Sequence, residues 1–129
     1  DLSIYTLMQI LGGISGVICV HLMFGENPIT ISQIDRSGTN ILLGEFIATL
    51  GLLIVIIHGE KFLPNSLPIL VGSYILSATF FTSSTCFANP AVTISRLFTN
   101  SGVGIDSSSI IVFLIVEILA VFVVSKSIE

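Results

Sequence analysis

Four long runs of apolar residues divide the chain, and short polar segments separate them. The runs cover residues 4–24, 40–58, 63–82 and 107–125. A helix needs about 20 mainly apolar residues to cross a hydrocarbon layer ~30 Å thick, so the pattern predicts four membrane-spanning helices. The separating segments contain glycine, asparagine and proline, which end helices. We expect Asn40 and Asp106 to cap the N-termini of the second and fourth helices.

A further segment, residues 82–100, does not match a span. Its first part, 82–88, is rich in small and hydroxyl-bearing residues and suits irregular backbone. Its second part, 89–98, predicts a short helix with Asn89 at the N-cap and Pro90 at the first helical position. Ten residues rise only about 15 Å, which is half of the membrane. A surface loop with an ordinary capped helix is the alternative, but the apolar flanks favour a re-entrant half-helix enclosed by protein.

A half-helix at that depth has a physical use. Its unpaired N-terminal amides and its dipole place partial positive charge near the membrane midplane. That end repels cations, including hydrated protons, and the Asn89 side-chain amide can donate a hydrogen bond to a passing solute.

Composition narrows the function classes. Hydrophobic residues make up 53% of the 129 residues and charged residues only 9%, whereas soluble domains carry about 25% charge. A soluble enzyme or a disordered tail is therefore disfavoured. The net charge of −4 with four Lys and Arg residues also argues against a nucleic-acid partner. Cys19 and Cys86 give neither a disulfide framework nor a zinc spacing, so we expect no metal and no cofactor.

The four cations do not decide the orientation in the membrane. Arg36 and Arg96 should lie on one side of the membrane, and Lys61 and Lys126 on the other. Because the two sides carry equal numbers, the positive-inside rule favours neither orientation.

The strongest motif in the chain is Asn89-Pro90-Ala91, which follows the small-residue run 84–88. Residues 44–49, with Glu45 and Thr49, and residues 5–13 support it. In order and spacing these motifs resemble spans three to six of the aquaporin and aquaglyceroporin family, the major intrinsic proteins, over essentially the whole chain. The resemblance implies an all-α membrane protein, an aquaporin-like right-handed helical bundle with four spans and one re-entrant half-helix.

The resemblance also implies a truncated six-span fold. The family is built from two inverted repeats, each with an Asn-Pro-Ala half-helix, and one copy is present here. Residues 5–12 faintly echo residues 113–120, although only two positions are identical. By the symmetry of such repeats, we expect roughly 80 residues upstream of this chain. Without them, the present chain would supply only one wall of a pore.

Two acidic residues lie within predicted spans, where a carboxylate is costly unless it faces protein or water. For Glu45 the resemblance implies an acceptor for backbone amides of the re-entrant segment; the alternative is that it lies near the membrane interface. Glu117, in the middle of its span, is not explained by the resemblance. We expect it to be protonated or to bond the same segment from the other side.

Val92 departs from the family pattern, because most members carry an arginine directly after Asn-Pro-Ala. The resemblance places Ser77, Cys86 and Val92 around the selectivity filter, and their small size predicts a wide one. Such a filter resembles the bacterial aquaglyceroporins associated with arsenic resistance, which pass polyols and metalloid hydroxides. Arg96 follows Asn89 by seven residues and returns to within about 20° of the same helix face. It is either a displaced charge at the pore mouth or a side chain that reaches the lipid headgroups.

The sequence therefore favours a passive channel for small uncharged solutes such as water and glycerol-like polyols. The resemblance implies a homotetramer in the cell membrane, in bacteria the inner membrane. The alternative is a proton- or ion-coupled secondary transporter that uses Glu45 and Glu117. An enzyme is disfavoured because no convincing nucleophile–base pair is present.

We expect six glycines to permit close helix packing: Gly12, Gly13, Gly16, Gly44, Gly51 and Gly72.

Overall fold

A computed structural model describes residues 2–128, and their regular structure is helical throughout. The helices, in chain order, are α1 (Leu2–Met23), α2 (Thr39–Phe62), α3 (Leu67–Phe81), α4 (Pro90–Ser95) and α5 (Ser107–Ile128). Two short 3₁₀ turns, Pro64–Ser66 and Arg96–Phe98, precede α3 and follow α4. The predicted all-α fold is confirmed.

Three helical segments are long and apolar enough to cross a membrane: Ser3–Met23, Thr39–Phe62 and Ser107–Ser127. They correspond to the predicted spans 4–24, 40–58 and 107–125. The apolar run 63–82 differs, because its α-helix has 15 residues and rises only about 22 Å. Pro68 lies in the first turn of α3, and Thr82 is already extended at its end. A membrane span at 63–82 remains a prediction.

The two predicted N-caps have different outcomes. Asp106 caps α5, since its Oδ1 accepts a hydrogen bond from the Ser109 amide at 3.0 Å. The Asn40 prediction is wrong, because α2 begins at Thr39 and Gly38 is its N-cap. The Gly38 carbonyl accepts the first helical hydrogen bonds, from the amides of Ile41 and Leu42, so the helix starts before Asn40.

The helices pack around the segment between α3 and α5. Helix α2 packs against both α3 and α5, while α4 packs between α1 and α5. Two small buried clusters lie beside the irregular segment that precedes α4. One contains Ala48, Ala78 and Cys86, and the other contains Phe87, Ile105 and Phe113. The irregular segment between α3 and α4 therefore contributes a residue to each of the two buried clusters, Cys86 to one and Phe87 to the other.

Glycine permits the closest of these approaches. A Cβ atom at Gly44 would lie 3.1 Å from the backbone nitrogens of Ser83 and Ser84, so α2 and the irregular segment touch through a glycine surface. Gly13 and Gly51 also face neighbouring side chains closely, as expected. Among residues 2–128, a Cβ at Gly12, Gly16 or Gly72 would meet nothing within 4 Å, so these three do not mediate close packing within the described chain.

Candidate solute passage at the re-entrant segment

The chain between α3 and α4 has an unusual backbone. Thr85, Cys86 and Ala88 have φ values of 65°, 51° and 48°, in the left-handed region that side chains disfavour. Each such residue costs of the order of 1–3 kcal/mol and persists only when its surroundings hold it. The strain redirects the chain from the end of α3 into the start of α4.

Glu45 supplies much of this support. Its side chain is fully buried and reaches from α2 to the irregular segment. Oε2 accepts a hydrogen bond from the Phe87 amide at 3.2 Å, and Oε1 accepts one from the Ala88 amide at 2.5 Å. Thr49 donates a longer bond, 3.4 Å, to Oε1. The contact predicted between Glu45 and backbone amides is present, and the carboxyl group lies far inside the protein.

The same two hydrogen bonds fix where the neighbouring carbonyls point. Every peptide bond in the described chain is trans, and in a planar trans peptide the N–H and C=O groups point in opposite directions. Because the amides of Phe87 and Ala88 point toward Glu45, the carbonyls of Cys86 and Phe87 point away from it. The segment therefore presents two hydrogen-bond acceptors on the face opposite α2.

Asn89 begins α4 as the sequence predicts. Its Oδ1 accepts a hydrogen bond from the Ala91 amide at 2.8 Å, and its carbonyl accepts one from the Thr93 amide at 2.9 Å. Pro90 occupies the start of the helix, where no amide donor is needed. Since Oδ1 is used by the cap, the side-chain NH₂ group remains to donate. The α-helix ends at Ser95 and continues as the 3₁₀ turn Arg96–Phe98, so the predicted half-helix 89–98 tightens in its last turn.

Glu117 approaches the segment from α5. It is 2% exposed, and its Oε1 accepts a hydrogen bond from the Thr93 hydroxyl at 2.6 Å. It also interacts with the Asn89 backbone and the Glu45 carboxyl group. Two carboxyl groups therefore hold the chain around Asn89, Glu45 from α2 and Glu117 from α5.

Two arginines meet on one aromatic ring. The guanidinium carbons of Arg36 and Arg96 lie 4.8 Å and 4.1 Å from the centroid of Phe87, within the range of cation–π attraction. Arg96 also donates to the Thr85 hydroxyl at 3.3 Å. Both arginines interact electrostatically with Glu45. The two guanidinium groups therefore lie close together, and their position on one side of the membrane stays a prediction.

The role of Arg36 is not apparent from the sequence. Its guanidinium donates to three backbone carbonyls, those of Gly104 at 2.6 Å, Ser84 at 2.9 Å and Gly102 at 2.8 Å. Only 5% of the residue is exposed, and burial lowers the pKa of the guanidinium. A single arginine thus connects the α1–α2 loop to both ends of the segment that contains α4. In the sequence, Arg36 is noticeable only as a single cation in a polar loop, and this does not identify the carbonyls to which it donates.

The three predicted filter residues are not grouped by their side chains. Ser77 is exposed on α3 and donates to the Ser73 carbonyl. The Val92 side chain packs against the cluster of Phe87. The Cys86 side chain is 3% exposed and packs against Ala48 and Ala78. The Cys86 thiol therefore faces α2 and α3, and the filter of Ser77, Cys86 and Val92 stays a prediction.

An open cleft lies beside Arg96, between α1 and the loop after α4. Its volume is about 760 Å³, and its lining includes His21, Thr99 and Asn100. His21 is buried, and its Nε2 lies 2.8 Å from the Thr99 hydroxyl. Arg96 therefore reaches both the cleft and the segment before Asn89.

Comparison with known proteins gives one curated relative. The chain is 41% identical over 119 residues to the aquaglyceroporin AqpS of Rhizobium meliloti (strain 1021). The match covers 92% of this chain and 51% of the relative, so the chain spans about half the length of the curated relative. No family model matches the chain, and no solved structure matches it.

Proposed function

We propose that the chain belongs to the aquaporin and aquaglyceroporin family and that it forms one wall of a passive channel for small uncharged solutes. The single observation that carries this proposal is the clamp of Glu45 on the amides of Phe87 and Ala88. That clamp turns the carbonyls of Cys86 and Phe87 to the opposite face. We place the passage along that face.

The chemistry of this face suits hydroxyl-bearing solutes. A water or polyol hydroxyl donates to the carbonyls of Cys86 and Phe87 and accepts from the side-chain NH₂ of Asn89. These contacts replace part of the hydration that the solute loses, and their number is small enough for the solute to leave again. No covalent step and no energy source is required.

The charges near the passage disfavour cations. Arg36 and Arg96 lie on the Phe87 ring, next to the carbonyls that line the passage. The N-terminal amides of α4 add partial positive charge of the same sign. A hydrated cation or proton is repelled by this end of the segment, while an uncharged solute is not. In this proposal Arg96 stands at the pore mouth, beside the open cleft, and Arg36 holds the loops that surround it.

Val92 sets the width of the filter in this proposal. An arginine at that position would project a long charged side chain, whereas valine is short and apolar. Together with Ser77 and the Cys86 carbonyl, it leaves a wide constriction with one apolar edge. The solutes that fit are water, glycerol-like polyols and uncharged metalloid hydroxides, which share hydroxyl groups and lack charge. The name of the relative, an aquaglyceroporin, supports a polyol among them.

A closed passage needs a second wall. We propose that an inverted repeat with its own Asn-Pro-Ala half-helix faces this chain across the passage, as internal repeats do in other transport proteins. The complete channel then crosses the lipid bilayer of the cell membrane, in bacteria the inner membrane. We further propose a homotetramer, which the family resemblance favours.

The test is solute flux in liposomes that contain the intact protein. We expect glycerol and water to move down their gradients and sodium chloride to remain excluded, in comparison with protein-free liposomes. Glycerol flux should be unchanged by an imposed pH gradient or membrane potential. Flux that requires either gradient would contradict the passive channel and favour a coupled transporter that uses Glu45 and Glu117.

A further inference from the structure

One oxygen of Glu117 lacks a partner. Oε1 accepts from Thr93, but Oε2 is buried and has no hydrogen-bond donor within the part of the chain that the structure describes. The Glu45 carboxyl group is among the groups that interact with Glu117 through a side-chain hydrogen bond. Two carboxylates only accept hydrogen bonds, so this arrangement requires a proton.

The surrounding groups decide which carboxyl group carries the charge. Both oxygens of Glu45 already accept hydrogen bonds from backbone amides, and Oε1 accepts a third from Thr49, so the shared proton belongs on Glu117. The two cations of the site, Arg36 and Arg96, both interact with Glu45. Two further titratable groups interact with Glu45, the Cys86 thiol of the irregular segment and the Tyr74 hydroxyl of α3.

Glu117 receives less support for a negative charge. It accepts a hydrogen bond from the Thr93 hydroxyl and interacts electrostatically with the Asn89 backbone and with Glu45. A second negative charge beside Glu45 would be buried and repelled.

We propose that Glu117 is a neutral carboxylic acid whose proton is donated to Glu45, so that the pair holds one negative charge and one proton. In this state every oxygen of the pair has a partner. Glu45 fixes the amides before Asn89 from α2, and Glu117 fixes Thr93, one turn after Asn89, from α5. Glu117 is therefore a positioning residue for Asn89. The proton assignment rests on the hydrogen bonds of the two carboxyl groups, and its effect on transport rests on the proposed function.

Substitutions of Glu117 distinguish a hydrogen-bonding role from a space-filling role. A glutamine amide can donate to Glu45 and accept from Thr93 in nearly the same volume, so we expect solute flux close to that of the wild type. Glu117→Leu fills the space but loses both bonds, and we expect loss of flux. If Glu117 only filled volume, the Leu variant would conduct solute as well as the Gln variant does.

The direct test is infrared spectroscopy of the intact protein in lipid at neutral pH. We expect a carbonyl stretching band of a protonated carboxylic acid that disappears in Glu117→Gln. The matched control is Glu60→Gln, because Glu60 is exposed at the end of α2 and its loss should leave the band in place. A wild-type spectrum without the band, or a band that survives Glu117→Gln, would overturn the assignment. Because the band is read without transport, a protein that shows it and conducts nothing would contradict only the proposed function.

Discussion

Arg36 and Arg96 are 60 residues apart in the chain, yet both place a guanidinium group over the ring of Phe87, at 4.8 Å and 4.1 Å from its centroid. The carboxylate that offsets their charge, Glu45, bonds to the amide of the same phenylalanine. Phe87 therefore connects two cations, one anion and the start of the re-entrant helix. The contacts of the two arginines and the backbone hydrogen bond of Glu45 therefore meet at Phe87.

The first prediction concerns Arg36. Substitution by lysine keeps the charge but cannot donate to three carbonyls from a planar fork. Because hydrogen bonds from charged groups contribute about 1.5–3 kcal/mol each, we expect Arg36→Lys to lower the free energy of unfolding by about 2–4 kcal/mol. Thermal unfolding in detergent measures this loss. The control is Lys61→Arg on an exposed helix end, which should leave the melting temperature unchanged; an equal melting temperature for both variants would contradict the role of Arg36.

The second prediction concerns Glu45. Glu45→Gln replaces one acceptor oxygen with an NH₂ group that must face a backbone amide, so two donors would point at each other. We expect a loss of about 2–4 kcal/mol in unfolding free energy and a loss of glycerol flux in liposomes. The matched control is Thr49→Val, which removes only the 3.4 Å bond and should have a small effect. Glycerol flux that persists in a stable Glu45→Gln protein would show that the clamp is not needed.

The third prediction uses two glycines with different surroundings. A methyl group at Gly44 would meet backbone atoms of Ser83 and Ser84, whereas one at Gly12 would meet nothing within 4 Å. We expect Gly44→Ala to lower the melting temperature, because the irregular segment must move away from α2. Gly12→Ala should be neutral or slightly stabilising, since alanine is the better helix former by about 1 kcal/mol. A reversed order of the two melting temperatures would contradict the described packing.

The fourth prediction is a pH dependence at the start of α5. Hydrogen bonds from Ser108 and Ser109 lower the pKa of Asp106. A carboxyl group with a lowered pKa in the folded state stabilises the protein above its unfolded pKa, and this contribution is lost as the pH falls through the folded pKa. We therefore expect the melting temperature to decrease in acid, and to decrease less in Asp106→Asn. Parallel pH profiles for the two proteins would contradict the capping role.

The sequence predicts the long helices well because the physics offers few alternatives. An apolar run of about 20 residues must satisfy its own backbone in lipid, and a helix does so. Glu45 is also predictable, since a carboxylate within such a run needs buried donors. Asn89 follows from local cap chemistry, in which a side chain bonds to the backbone two residues away.

The remaining features depend on contacts between distant residues. Arg36 donates to the carbonyls of Ser84, Gly102 and Gly104, and the sequence of its own loop does not specify these partners. Cys86 turns its side chain inward because the backbone is left-handed there, which the family pattern of a pore-lining position does not reveal. Helix α2 starts at Thr39 because the Gly38 carbonyl already accepts helical hydrogen bonds, although Asn40 is the better capping residue by propensity.

The most direct test of the account is the glycerol and water permeability of liposomes that contain the intact protein or its Val92→Arg variant. Arginine would narrow the passage and add charge beside Arg96, while Val92→Leu provides an uncharged control of greater size. We predict that the wild type and Val92→Leu conduct glycerol, and that Val92→Arg loses glycerol permeation while water permeation is less affected. Equal glycerol flux through the wild type and Val92→Arg, or no flux above protein-free liposomes in any variant, would contradict a solute passage along the re-entrant segment.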